Sequence, residues 1–358
     1  MERKESNSGM LDLMYQPAFI VKNDVVVQVN AAAEKYFIEP GTPIEELLQT
    51  GANEYRELTG GCLYLTLSVG GSFCAASVRR LEEGDIFTLE QEADQAELQA
   101  MALAAQQLRG PLANVMTIAD QLFPVVDEDP ESQQQISRIN RGLFQLLRIV
   151  GNMSDAYRYS QHEEPQLTLL NLSSFVEEIF DKSAQLLTFG DTRLQFENTD
   201  QPVFGLADRE KLERAVYNII SNAVKFAKKG STIRARLSRR GSMLCLTVQD
   251  EGSGIDADLR GNVHTRYRRE PGLEDGRYGI GLGMVMIRSA AAIHGGTVLI
   301  DHPEGSTRLT MSIAIRQDVE PMVRSHILQV DYAGERDHSL VELSDVLPNG
   351  LFEADKIN

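Results

Sequence analysis

Two apolar stripes at helical spacing, between residues 92 and 160, limit the architecture of this chain more than any other feature. The first runs through Leu98, Met101, Leu103, Leu108, Leu112, Val115, Ile118 and Leu122; Pro111 interrupts it and Pro124 closes it. Proline lacks the N–H of the helical ladder and clashes with the carbonyl four residues back, so an interruption is expected at 111. The second stripe, from about Glu131 to Tyr159, carries Ile136, Ile139, Leu143, Leu146, Leu147, Val150 and Met153. The segment PVVDEDP joins the two as a turn, which makes residues 92–160 an antiparallel helical hairpin. Two helices alone cannot bury both stripes. Pairing with a second copy, into a four-helix bundle, is the natural completion, so a homodimer is expected.

With 358 residues the chain has length for two or three domains. Its formal net charge of −17 argues against a nucleic-acid partner, which would need a Lys/Arg-rich face to displace counterions. Cys62, Cys74 and Cys245 are odd in number and scattered, with neither a disulfide framework nor a zinc spacing, which fits a reducing compartment. No stretch reaches the roughly 18–20 apolar residues of a spanning helix, and MERKESNSG lacks the apolar core of a signal peptide. A cytoplasmic protein is the expectation.

The hairpin separates two α+β regions. Residues 10–91 read as a short helix, two strands around Lys22-Asn23-Asp24, a small helix AAAEKYF, and three strands punctuated by Gly70-Gly71 and Glu82-Glu83-Gly84. With Asn30 opening the helix after the second strand and three strands closing the unit, it resembles a PAS sensor domain. Residues 166–316 mix helical and strand patterns with Gly-rich turns. Residues 317–358 hold nine Asp/Glu against three Lys/Arg and few apolar runs, so a mobile or loosely docked acidic tail is expected.

The third region carries the chemistry. In YNIISNAVKFAKKG, residues 217–230, Asn218 and Asn222 lie one helical turn apart with Lys225 a further turn along, so all three can face one ligand. Amide oxygens suit Mg²⁺, a hard cation that bridges protein to phosphate, and a lysine supplies a point charge for phosphate. A polar strip on a solvated helix would look the same, and the next motifs decide between the two. TVQDEGSGI ends a strand at Asp250 and follows it with Gly252 and Gly254, holding a carboxylate at the mouth of a pocket where backbone can approach a flat ligand. An Asp accepting from an exocyclic amine selects adenine. YGIGLGMVMI sets Gly279, Gly281 and Gly283 before an apolar helix with Met284, Met286 and Ile287, exposing N–H groups and a positive helix end to anions.

In this order, followed by HGG and EGSTRLTMSI, the motifs make residues 92–316 resemble the catalytic core of a sensor histidine kinase. The final ~150 residues of that core resemble the ATP-binding α/β sandwich of the GHKL superfamily. The resemblance implies that Asn222 coordinates Mg²⁺ with help from Asn218, Lys225 contacts phosphate, and Asp250 binds the adenine amine. It also implies that Gly252, Gly254, Gly279, Gly281 and Gly283 shape the pocket and its lid hinges, and that Ser306-Thr307 fits the last strand-turn element. The ATP-hydrolysing relatives place a glutamate where this chain has Asn218, which cannot act as a base, so kinase-type use of ATP is favoured over hydrolysis. The lid would be residues 260–277, with His264, Tyr267, Arg266, Arg268, Arg269 and Arg277.

The pattern breaks in the hairpin. AAQQLRGPLANV matches the family's box at Leu108, Arg109, Pro111 and Leu112, which places Gln106 at the acceptor histidine and Gln107 at the acidic neighbour. A glutamine amide has a delocalised lone pair and is no nucleophile, and Gln107 cannot take a proton. Gly110 stands where the family places a Thr or Asn for dephosphorylating a partner. None of the six histidines lies in the first hairpin helix. The expectation is therefore a multidomain α+β chain: a PAS-like domain, a dimerising hairpin and a GHKL ATP-binding domain. It binds ATP and Mg²⁺, pairs with a response regulator or other signalling protein, and does not phosphorylate itself at the usual place. Phosphorylation of a partner in trans, or a binding module that has lost nucleotide, are the alternatives.

Overall fold

The computed structural model describes residues 11, 14–90, 92–122, 130–160, 164–198, 201–252, 282–303, 305–316 and 336–353. Strands β1 (Ala18–Lys22) and β2 (Val25–Val29) form a hairpin whose turn residues, Asn23 and Asp24, both have positive φ. Asn and Asp tolerate that conformation, and such a two-residue turn matches the twist of the strands. Asn30 then caps α1 (Ala31–Glu34), its Oδ1 accepting from Ala33 N at 2.9 Å and from Ala18 N at 3.0 Å. Short helices α2 (Ile44–Leu47) and α3 (Ala52–Arg56) precede β3 (Cys62–Val69), β4 (Ser72–Leu81) and β5 (Gly84–Leu89). The strand order is β2-β1-β5-β4-β3, over a core that includes Phe19 stacked on Phe87.

Helices α4 (Glu92–Leu122) and α5 (Pro130–Ser160) pack against each other. Pro111 does not interrupt α4, contrary to the sequence expectation; the helix is continuous through it. Residues 106–111 are all exposed, so water can satisfy the Gln107 carbonyl that the missing N–H leaves open. Leu103, Leu108, Val115 and Ile118 of α4 and Ile139 and Leu146 of α5 remain about half exposed.

The remaining elements are β6 (Leu167–Asn171), α6 (Leu172–Leu187), β7 (Arg193–Glu197), β8 (Phe204–Asp208), α7 (Arg209–Phe226), β9 (Thr232–Arg240) and β10 (Met243–Asp250). They are followed by α8 (Leu282–Ile293), β11 (Val298–Asp301), β12 (Thr307–Ala314) and α9 (His338–Leu343). Strands β11-β12-β10-β9-β7 form a sheet covered by α6, α7 and α8 around one apolar core. His294 ties this layer together: Nε2 accepts from Asp208 N at 2.9 Å and Nδ1–H donates to Ala290 O at 2.7 Å. Two glycines after it are sterically required at their crossing, since a Cβ on Gly296 would fall 1.8 Å from Ser312 O.

The two sheets join. Edge strand β3 pairs antiparallel with edge strand β11 through Cys62, Leu63 and Tyr64, giving ten strands in one sheet. Gly61 permits this approach, because a Cβ there would lie 2.4 Å from Ile300 O. Joining two open edges removes a surface on which other chains would add strands.

A second correction concerns the acidic tail. Residues 336–353 are docked against α5, α6 and α7, with Ser339, Val341, Glu342, Leu343, Ser344 and Phe352 fully buried. The reason is a local amphipathic pattern: Asp337 caps α9 by accepting from Ser339 N and Leu340 N, and Leu340, Leu343, Leu347 and Phe352 enter the core. The residues before and after it, 317–335 and 354–358, lie outside the described set.

Candidate functional site

The site is built on the second half of α7. Asp208 starts this helix by accepting from Lys211 N at 3.2 Å. Its apolar residues Leu212, Ala215, Val216, Ile219, Ile220 and Ala223 face the sheet, which leaves Asn218, Asn222 and Lys225 directed to the opposite side.

The start of α8 meets that side of α7, and the end of β10 meets the helix's C-terminal end. The N-terminal end of α8 brings Gly283 so near that a Cβ on it would meet Asn218 Oδ1 at 2.9 Å and Asn222 Nδ2 at 3.7 Å. The end of β10 brings Asp250 and Gly252; an isolated bridge between Ala227 and Gly252 fastens this turn to the end of α7. A Cβ on Gly252 would lie 2.5 Å from both Asp250 Oδ1 and Phe226 O, so no larger residue fits there. Thr307 of β12 lies opposite Asp250 in the ladder.

Asp250 is 5% exposed, and its carboxylate accepts from Gly252 N at 2.8 Å and from the Thr307 backbone. Burial pushes its pKa up, and the two backbone N–H groups only partly offset this. No cation balances it among the described residues. A buried carboxylate held by backbone donors alone is suited to accept from a polar ligand group.

Asn222 is half-buried, and among the described residues its carboxamide has no hydrogen-bond partner. One such amide oxygen beside a helix start fits a single contact to Mg²⁺, which keeps most of its water. Among the described residues no cluster of His, Cys, Asp or Glu offers an alternative metal site.

The other two α7 residues are already engaged. Asn218 donates to Arg214 O at 2.8 Å, and its Oδ1 accepts from Arg148 Nη2 at 3.3 Å. Lys225 Nζ donates to Asp345 Oδ2 at 2.6 Å. Burial, and then Arg148, push the Lys225 pKa down, while Asp345 pulls it up. Arg148 of α5 also donates to Asp345 Oδ2 at 2.6 Å and pairs with Glu342 at 3.4 Å. Glu342, fully buried, is held in addition by Arg214 at 3.1 Å, and Arg214 pairs with Asp155 and donates to Asn152 at 2.6 Å. Sequence reading missed Arg148, Arg214, Glu342 and Asp345. The only signal was arginine within otherwise apolar helical stripes.

Gln106 and Gln107 lie exposed on α4, with the Leu108, Arg109, Pro111 and Leu112 box continuing the same helix. Gly254, Gly279, Gly281 and the lid residues 260–277 lie outside the described residues. At the far end of the hairpin, Leu98, Met153, Ala156 and Tyr157 pack on Leu282, Val285 and Met286 of α8, so the helix that carries Gly283 is seated on α4 and α5.

Comparison with known proteins agrees with this architecture. Residues 207–317 match the family described as histidine kinase-, DNA gyrase B-, and HSP90-like ATPase. Over 237 residues, 64% of this chain, the sequence is 25% identical to hybrid signal transduction histidine kinase D of Dictyostelium discoideum, covering 15% of that protein. It is 26% identical over 213 residues, 58% of the chain, to sensor histidine kinase CusS of Escherichia coli O6:H1, covering 43% of that protein. It is 25% identical over 227 residues, 60% of the chain, to sensor protein KdpD of Clostridium acetobutylicum, covering 25% of that protein. The matches therefore span less than half the length of these relatives. Among solved structures, full-length ShkA in complex with AMPPNP has the same fold over 63% of this chain and 47% of that one, with a TM-score of 0.51 at 18% identity. No described helix is long and apolar enough to cross a membrane. The chain is thus similar to sensor histidine kinases over about 60% of its length, and its residues 207–317 match the histidine kinase-, DNA gyrase B- and HSP90-like ATPase family.

Proposed function

We propose that the chain is a cytoplasmic signalling protein of the histidine kinase type that binds Mg-ATP and does not phosphorylate itself at the usual position. The observation that carries the reading is the convergence of Asn222, Gly283, Asp250 and Gly252 beside α7, on a chain whose acceptor position is Gln106. Asp250 accepts from the adenine amine, Lys225 takes phosphate, and Asn222 holds the cation with Asn218 beside it. Bound Mg²⁺ would offset phosphate charge; the residues bind and orient the nucleotide. Gln106 offers no nucleophile and Gln107 no base, so the γ-phosphoryl group has no acceptor at the usual position on α4.

The output is then conformational. The exposed apolar residues of α4 and α5 support a homodimeric four-helix bundle, and the strand order of residues 18–89 supports a PAS-like input domain. The β3–β11 pairing offers a direct mechanical route from that domain to the ATP-binding sheet. A response regulator is the partner favoured by the relatives. Intact Asn222, Asp250 and Gly252 also support a second reading, transfer of phosphate to a separate protein.

Thermal denaturation with Mg-AMPPNP tests the binding claim. At about 100 times the Kd the ligand adds about 2.7 kcal/mol, and the melting temperature rises accordingly. Asn222→Ala reduces this shift while leaving the melting temperature of the free protein nearly unchanged. An unchanged melting temperature at millimolar ligand contradicts the reading.

A further inference from the structure

Residues 344–349 form a turn whose Asp345 carboxylate projects from a segment otherwise anchored in the core. On one side α9 is anchored through Leu340, Val341 and Leu343, and on the other Phe352 sits against Phe144 with ring centroids 5.3 Å apart. Within the turn Leu347 is buried in the same core with Val346 against it, while Ser344, Asp345 and Asn349 are held by polar contacts. Arg141 donates from Nε to Ser344 O at 3.0 Å, from Nη2 to Asp345 O at 3.0 Å and from Nη1 to Asn349 Oδ1 at 3.1 Å. Gln145 adds a contact to Ser344 O at 3.4 Å. At the tip, the Asp345 carboxylate takes both Lys225 and Arg148. Burial alone would raise the pKa of this carboxylate; Arg148, Lys225 and Arg141 together hold it low, so it is an anion at neutral pH.

We propose that Asp345 is an intramolecular anionic ligand for the phosphate end of the nucleotide site, and that the 344–349 turn autoinhibits nucleotide binding. The inference rests on the reading that Lys225 contacts phosphate. A carboxylate on two cations resembles a phosphate oxygen in charge and in acceptor geometry, so one Lys225 ammonium cannot serve both fully. The flanking apolar anchors keep Asp345 at high effective concentration, which makes it a competitor without strong intrinsic affinity. Phosphate arriving at Lys225 displaces the Asp345 carboxylate and leaves α9, Leu347 and Phe352 seated. The same displacement takes from Arg148 of α5 one of its two carboxylates, leaving it on Glu342 and Asn218. Nucleotide occupancy thereby changes contacts at the helix pair that carries the output.

Calorimetric titration of the full chain with Mg-AMPPNP and with adenosine tests this, in wild type, Asp345→Asn and Arg141→Ala. Arg141 touches the turn and not Lys225, so its variant loosens the turn while keeping the Asp345 carboxylate. The expected result is Mg-AMPPNP binding about tenfold tighter in both variants, with adenosine affinity unchanged. Equal or weaker Mg-AMPPNP binding in both, with adenosine still bound, overturns the autoinhibition and makes the turn a brace for Lys225. No binding of either compound by any of the three proteins overturns it together with the nucleotide reading.

Discussion

The two ends of the candidate site contain carboxylates in opposite circumstances. At the proposed adenine end Asp250 is buried, accepts among the described residues only from backbone N–H groups, and has its pKa pushed up by burial. At the phosphate end Asp345 is satisfied by two side-chain cations, and they hold its pKa low. A carboxylate kept without a counter-charge has its remaining acceptor capacity to offer a ligand. One that is fully paired acts within the fold. On the proposed reading, the difference separates a recognition residue from an internal competitor, although both are aspartates beside the same helix.

The largest effect that would break this comparison is at Glu342, which shares the Arg148 and Arg214 cations with Asp345. Glu342→Ala leaves Arg214 buried beside Asp155 alone, and should cost about 3–5 kcal/mol in chemical denaturation. A loss below about 1 kcal/mol would mean that the network contributes little to docking residues 336–353. At the adenine end, Asp250→Asn keeps the backbone contacts and removes the charge. Because burial raises the Asp250 pKa, its ionised form is disfavoured in the fold at neutral pH, so the variant should be equally or more stable. Its nucleotide affinity should fall about 10- to 100-fold by calorimetry, the range for a lost hydrogen bond to a charged group. Gly252→Ala places a methyl group against Phe226 O and Asp250 Oδ1, and should cost about 1–3 kcal/mol together with nucleotide binding.

A smaller effect comes from His294, whose pKa burial lowers while Nε2 accepts from Asp208 N. Its folded pKa lies below its unfolded value of about 6.5, so the unfolded chain takes the proton first. Stability is therefore full above about pH 6.5 and declines as pH falls through that value, by up to about 1.4 kcal/mol per pH unit. Urea denaturation at pH 7.5 and pH 5.5 measures it. The smallest effect belongs to the exposed Arg234–Glu251 pair next to Asp250: Arg234→Ala should change stability by less than about 1 kcal/mol.

The helix and turn that build the candidate site were legible in the sequence because their parts are local. Asn218 and Asn222 share a helix face by spacing alone, and Asp250 and Gly252 sit within one strand-to-turn transition. Lys225 was legible by the same spacing, but its pairing with Asp345 and Arg148 was not, because the three come from elements separated by 77 to 197 residues. Charge pattern in an acidic tail carries no record of a distant arginine. The β3–β11 joint was hidden for another reason: its hydrogen bonds are between backbones, and only Gly61 marks the close approach. Pro111 misled because helix breaking depends on whether the freed carbonyl meets water, which spacing does not report.

The most direct test of the central claim is incubation of the purified chain with γ-labelled ATP and Mg²⁺, wild type beside a Gln106→His, Gln107→Glu double variant. The account predicts label on the double variant alone, from a competent nucleotide site that faces a side chain unable to accept phosphate. Acid-labile label on the wild-type chain would contradict it, and would place the acceptor on a histidine other than position 106.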